Sequence, residues 1–131
     1  MRPGKDGAFI VSGAIVQFAM LAAQRIEEKI GKRIRVVDMH TIKPIDRKAV
    51  EQAVATGRII VAQDHNKIGG LGYMVAAVIA ESGSACKFEI LGCADEFIPM
   101  AHAPYLYNKY EYDAAGLEKH MLSMLEKDGY Q

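Results

Sequence analysis

Four times along the chain a short apolar run is followed by a turn or loop and then by a segment of helical period, and this alternation narrows the fold more than any other feature. Gly7-Ala-Phe-Ile-Val-Ser12 is continuously apolar, as a strand buried on both faces of a sheet requires. Beyond Gly13 the rhythm changes: Ile15, Phe18, Ala19, Ala22 and Ile26 form one stripe of a helix that runs to about Ile30, with Gly31 in the place of a C-cap. Arg33 to Asp38 reads as a second strand. Pro44 holds Lys43 extended, and Asp46 caps a second helix that Gly57 ends near Thr56. Ile59 to Ala62 is a third strand, His65 to Gly70 a turn, and Leu71 to about Glu81 a third helix. Lys87 to Leu91 alternates polar and apolar, the pattern of a less buried edge strand. Residues 92–112, with Pro99, Pro104 and four tyrosines, read as irregular. Asp113 then caps a last helix whose stripe is Ala114, Leu117, Met121, Met124 and Leu125. Strand alternating with helix predicts an α/β fold with a mainly parallel sheet covered on both faces.

The 131 residues suffice for one domain, expected over 1–131, large enough to need no disulfide or metal to hold it together. The net charge is zero, which gives no electrostatic reason for a nucleic-acid or anionic-membrane partner. Cys86 and Cys93 form neither a disulfide framework nor a metal-ligand spacing, so a reducing, cytoplasmic setting is expected. Arg2 and Lys5 before the apolar run Gly7 to Ala23 imitate a secretory signal. Asp6, Gly13 and Gln17 argue against it, and the run is shorter than the ~20 apolar residues a membrane span needs.

Open α/β sheets bind ligands at the carboxyl ends of their strands. There this sequence places Ser12-Gly13, Asp38-Met39-His40, Asp64-His65-Asn66, Gly92-Cys93 and Asp95. Such residues could form a site, but short polar side chains are also what strand-to-helix turns use to cap helices and satisfy loop backbone. No helix carries metal-binding pairs at i, i+4, so no metal site is expected. The sharpest local motif is Asp64-His-Asn-Lys-Ile-Gly-Gly-Leu-Gly72. Its glycines Gly69, Gly70 and Gly72, with Asp64, His65 and Asn66, could gather backbone N–H groups around an anion. They could equally serve a tight turn and close helix–sheet packing. The motif is neither a dinucleotide-binding fingerprint nor a P-loop. His120, on the last helix, reads as a surface residue. Two helices are apolar beyond one face: Leu71 to Ala80 carries no charge, and Val16, Met20 and Ala23 flank the first helix's stripe. Together with Tyr73 and Met74 they are candidates for an interface.

Val37-Asp-Met-His-Thr-Ile-Lys-Pro-Ile-Asp46 followed by Asp64-His-Asn-Lys-Ile-Gly-Gly-Leu-Gly72 resembles the C-terminal domain of transketolases, particularly bacterial ones made as two subunits. Ile10-Val-Ser-Gly13, Leu91-Gly92 before Asp95-Glu-Phe97, and Leu106-Tyr-Asn-Lys-Tyr110 before Tyr112-Asp113 extend the likeness along the chain in the family's order. The family usually has Glu-His-Asn where Asp64-His65-Asn66 stand and often glycine at Glu111, and Pro99 to Ala103 depart from its pattern. The resemblance implies a three-layer αβα domain with a mostly parallel, mixed sheet of about five strands. It implies thiamine diphosphate and magnesium bound elsewhere, between an N-terminal and a middle domain. Their Gly-Asp-Gly motif does not occur here, so no cofactor is expected on this chain and no catalytic residue carries over. The implied partners are the N-terminal and middle domains, in a homodimer. The function so implied is that of an accessory domain of an enzyme moving two-carbon ketol units between sugar phosphates. Alternatives are the matching domain of a 2-oxo-acid dehydrogenase β subunit or of deoxyxylulose-phosphate synthase, and a free-standing anion-binding module built on the glycine turn.

Overall fold

β1 (Gly7–Val11) is buried along its whole length, because it lies between two strands and under helices on both faces. The computed structural model describes residues 2–129; Met1, Tyr130 and Gln131, at the ends of the expected domain, lie outside the described residues. β2 (Ile34–Asp38), β3 (Arg58–Asn66) and β4 (Lys87–Cys93) complete a sheet of order β2-β1-β3-β4, every pair of it parallel. Successive residues of β1 point to opposite faces, as the pleat requires. Phe9 and Val11 enter one core with α1 (Val16–Ile30) and α5 (Ala114–Gly129). Ala8 and Ile10 enter a second core with α2 (Arg47–Val54) and α3 (Leu71–Ser82). The three-layer αβα architecture is the one expected.

Several boundaries differ from expectation. The sheet has, among the described residues, four strands rather than about five, and its ladder is parallel rather than mixed. Among the described residues the antiparallel element is one isolated bridge, in which Arg2 and Val36 exchange backbone hydrogen bonds of 3.2 and 2.9 Å on the outer side of β2. Pro3, without an N–H, cannot continue that ladder. β3 runs on through His65 and Asn66, where a turn was expected, because β4 also extends to Cys93. Asn66 pairs with Cys93 after an irregularity that begins at Ala62, and Lys67 N donates to Cys93 O. A side chain at Gly92 would place its Cβ 2.6 Å from the His65 carbonyl oxygen, so this late pairing depends on glycine. Finally, α4 (Ala103–Lys109) lies within the stretch read as irregular; Pro104 sits in its first turn, where a missing N–H costs nothing.

The helix signals fared better. The Ala49 N–H donates to Asp46 Oδ1, and that of Gly116 to Asp113 Oδ1, so both predicted N-caps form. Gly31 and Gly83 end α1 and α3 in the left-handed conformation, each at φ 69°. The first helix begins with one 3-10 turn, Gly13–Ile15. The signal-like run Gly7 to Ala23 divides into β1, this turn and half of α1. Among the described residues no helix is long and apolar enough to cross a membrane.

Candidate functional site

The carboxyl end of the sheet gathers Asp64 and Asn66 from β3, Cys93 from β4, and Asp95 just beyond it. Asp64 is the centre. Its Oδ2 accepts a hydrogen bond from Tyr107 Oη at 3.0 Å and its Oδ1 one from Tyr112 Oη at 3.1 Å. Tyr112 is fully buried, and its hydroxyl also lies 3.3 Å from Cys93 Sγ. The Tyr107 ring packs between Phe18 of α1, edge-on at 5.6 Å, and Tyr112 at 5.1 Å. Burial first, then the hydrogen bonds to Cys93 and Asp64, push the Tyr112 phenol above the ordinary tyrosine range. Burial and the Asp64 carboxylate do the same to Tyr107. A phenol so held keeps its proton near neutrality and acts as a fixed donor, not as an acid or base. The arrangement ties α4 and the bend before α5 to the end of β3.

Asn66 makes a second tie: its Nδ2 donates to Asp95 Oδ1 at 3.1 Å and its Oδ1 accepts from the Ile68 N–H at 2.8 Å. Tyr110 Oη donates to Glu96 Oε1 at 2.5 Å, and this bond pushes its pKa up to about 12. The expected histidines join neither tie. His65 Nδ1 faces the carbonyl oxygen of Asn66, its neighbour, at 2.7 Å, and His40 Nδ1 lies 2.8 Å from Thr41 Oγ1. The tyrosines were missed as site residues because they arrive from a segment distant in sequence. The usable signal was acidic strand ends, Asp64 and Asp95-Glu96, facing a tyrosine-rich connection.

Each glycine of the turn has a role in its backbone conformation or its packing. Gly69 takes φ +74°, in the left-handed region. A Cβ at Gly70 would lie 3.0 Å from both Gln63 Oε1 and His65 Nδ1, and one at Gly72 would meet three carbons of Ile90 at 2.7 Å. Gln63 Oε1 also accepts the Leu71 N–H at 3.0 Å, occupying one donor at the mouth of α3. The cavity behind the turn is about 10 Å³, room for one water and not for a phosphate. An anion bound by this turn would sit outside it.

Of the expected interface residues, Met20, Tyr73 and Met74 are exposed, joined by Leu21. Val16 is partly buried against the core, and Ala23 is wholly buried in it, so Ala23 is not available to a partner. Ala23 belongs to the core that α1 shares with α5 and the sheet, and the packing of α5 on α1 is not legible from α1 alone. His120 is likewise not a plain surface residue: its Nδ1 lies 2.8 Å from Glu89 Oε1 and its Nε2 2.8 Å from Glu111 Oε2. Glu111 takes φ 60°, in the left-handed region that favours glycine, and its side chain links the bend to His120 and Lys119.

Among the described residues no three of His, Cys, Asp and Glu are placed to hold a metal ion, and the glycine turn is closed by its own packing.

The match to known proteins covers most of the chain. The family model for the transketolase C-terminal domain matches residues 1–117. An apulose-4-phosphate transketolase subunit from Phocaeicola vulgatus is 34% identical over 95% of this chain and 39% of its own length. The 1-deoxy-D-xylulose-5-phosphate synthase of Clostridium perfringens is 31% identical over 95% of this chain and 20% of its own. The solved structure of a split-gene transketolase, described as an inactive β4 tetramer, superposes with a TM-score of 0.83 at 33% identity, over 95% of this chain and 40% of that one. The chain thus spans about two-fifths or less of these relatives. By sequence match and by fold alike, it belongs to the transketolase C-terminal domain family.

Proposed function

We propose that this chain is the accessory C-terminal domain of a thiamine-diphosphate-dependent transketolase, which as a whole transfers a two-carbon ketol unit between sugar phosphates. The chain itself contributes packing and dimerisation and no reacting group. Thiamine diphosphate and magnesium are held by the N-terminal and middle domains, which are its partners, and the cofactor supplies the electron sink for the chemistry. The observation that carries this reading is that the polar side chains at the carboxyl end of the sheet are tied to their own chain. Asp64 is engaged by two tyrosines, Asn66 by Asp95 and the Ile68 N–H, and Gln63 by the Leu71 N–H. Met20, Leu21, Tyr73 and Met74 meanwhile face outward as apolar surface for partners. The free thiols Cys86 and Cys93 suit a reducing, cytoplasmic setting.

Isothermal titration of the chain with thiamine diphosphate and magnesium tests this reading. No heat of binding at micromolar ligand is expected, and ketol transfer should return only when the remaining domains are supplied. Micromolar binding, or ketol transfer by the chain alone, would refute it.

A further inference from the structure

Residues 95–105 are exposed throughout. The two charged side chains among them, Asp95 and Glu96, are hydrogen-bonded at the surface to Asn66 and Tyr110. The apolar side chains that follow make no such tie and stand in solvent. Phe97 and Met100 are each 104% exposed, as bare as in an extended peptide, with Tyr105 59% and Ile98 40% exposed beside them. A monomer gains nothing by turning a phenylalanine and a methionine fully outward, whereas an interface anchor requires exposed apolar side chains. Pro99 and Pro104 restrict the backbone of this segment, so little conformational freedom remains to be lost on docking.

The geometry points to residues 97–105 as a preformed plug. It seats in an apolar socket with a basic rim, on the part of the transketolase that lies outside this chain; this rests on the accessory-domain reading. The basic rim follows from charge. Asp95 and Glu96 lie at the base of the plug, and no lysine or arginine occurs between Lys87 and Lys109. The choice of occupant follows from area. A buried aromatic covers roughly 150–250 Å², so these four side chains offer about 500 Å². That is short of the ~800 Å² per partner typical of a free-standing complex. It suits one anchor within a contact between domains of one assembly. The relatives carry such further domains, since the chain spans only 39% of the Phocaeicola vulgatus relative.

The test titrates this chain into a separate polypeptide carrying the rest of its transketolase and reads ketol transfer, with the parent and with Phe97→Ser/Met100→Ser. The parent should restore activity saturably. The double variant should need at least about tenfold more protein for half-saturation, reach the same plateau, and melt alone at the parent's temperature. Equal half-saturation overturns the proposal while leaving the accessory reading intact, as does a lowered plateau at unchanged half-saturation. If the parent restores nothing, the accessory reading fails, and calorimetry of the two polypeptides decides the plug by itself: equal affinity of parent and variant overturns it. A parent dimer in sedimentation that the double variant disperses overturns the chosen occupant in favour of a second copy.

Discussion

Replacing Gly72 by alanine should destabilise the domain, although the same change in an open helix stabilises it. Gly72 is buried in the first turn of α3, above Ile90 of β4. Its new Cβ would stand 2.7 Å from Cδ1, Cγ1 and Cγ2 of that one side chain. Carbon atoms rest at about 3.5–4.0 Å, so about 0.8 Å must be found. A rotation of Ile90 about χ1 moves one branch away and brings another in, and β-branching leaves few rotamers to choose from. Overpacking of this kind costs about 1–3 kcal/mol. The helix propensity gained from glycine to alanine returns about 1 kcal/mol. With the overpacking near the middle of that range, a net loss of about 1 kcal/mol and at most about 2 kcal/mol follows, or roughly 3–8 °C in melting temperature for a domain of this size. Urea denaturation of the parent, Gly72→Ala, Ile90→Ala and the double variant measures it. Ile90→Ala removes all three opposing carbons, so on that background Gly72→Ala should stabilise by about 0.5–1 kcal/mol. A neutral or stabilising Gly72→Ala in the parent, or equal effects on both backgrounds, would refute the packing account of this glycine.

Two further outcomes follow from the same geometry. Gly69→Ala should cost about 1–2 kcal/mol in thermal melting, since φ +74° penalises any Cβ; an unchanged melting temperature would remove the strain argument. Hydrogen bonds first from Lys119 and then from His120 hold the Glu111 carboxyl below its ordinary value of 4.5. Its folded pKa is therefore depressed, and the stability it adds is present above pH 4.5 and lost as pH falls through the folded value. The urea midpoints of parent and Glu111→Gln should thus differ at pH 7 and draw together as pH falls below 4.5, and a gap that does not shrink at all on acidification would show the linkage to be wrong.

The sequence by itself determined the layers. A strand buried on both faces must be apolar at every position, and a helix packed on one face must be apolar every three or four residues. Phe9, Ile10, Ile15, Ala22 and Ile26 could therefore be assigned before any contact was known. The caps at Asp46, Asp113 and Gly31 were legible for the same reason: they depend on neighbours within a few residues. The extension of β3 and β4 past Ala62 and Leu91, the burial of Ala23 and the Asp64–Tyr107–Tyr112 tie were decided by tertiary structure. In each of these a residue's state depends on a group many positions away. Gly92 lets β4 approach the His65 carbonyl, α5 lies over α1, and a connection that looked irregular returns to donate two phenol hydrogen bonds to one carboxylate. Local periodicity records which face of an element is buried, but it carries no information about which distant segment does the burying.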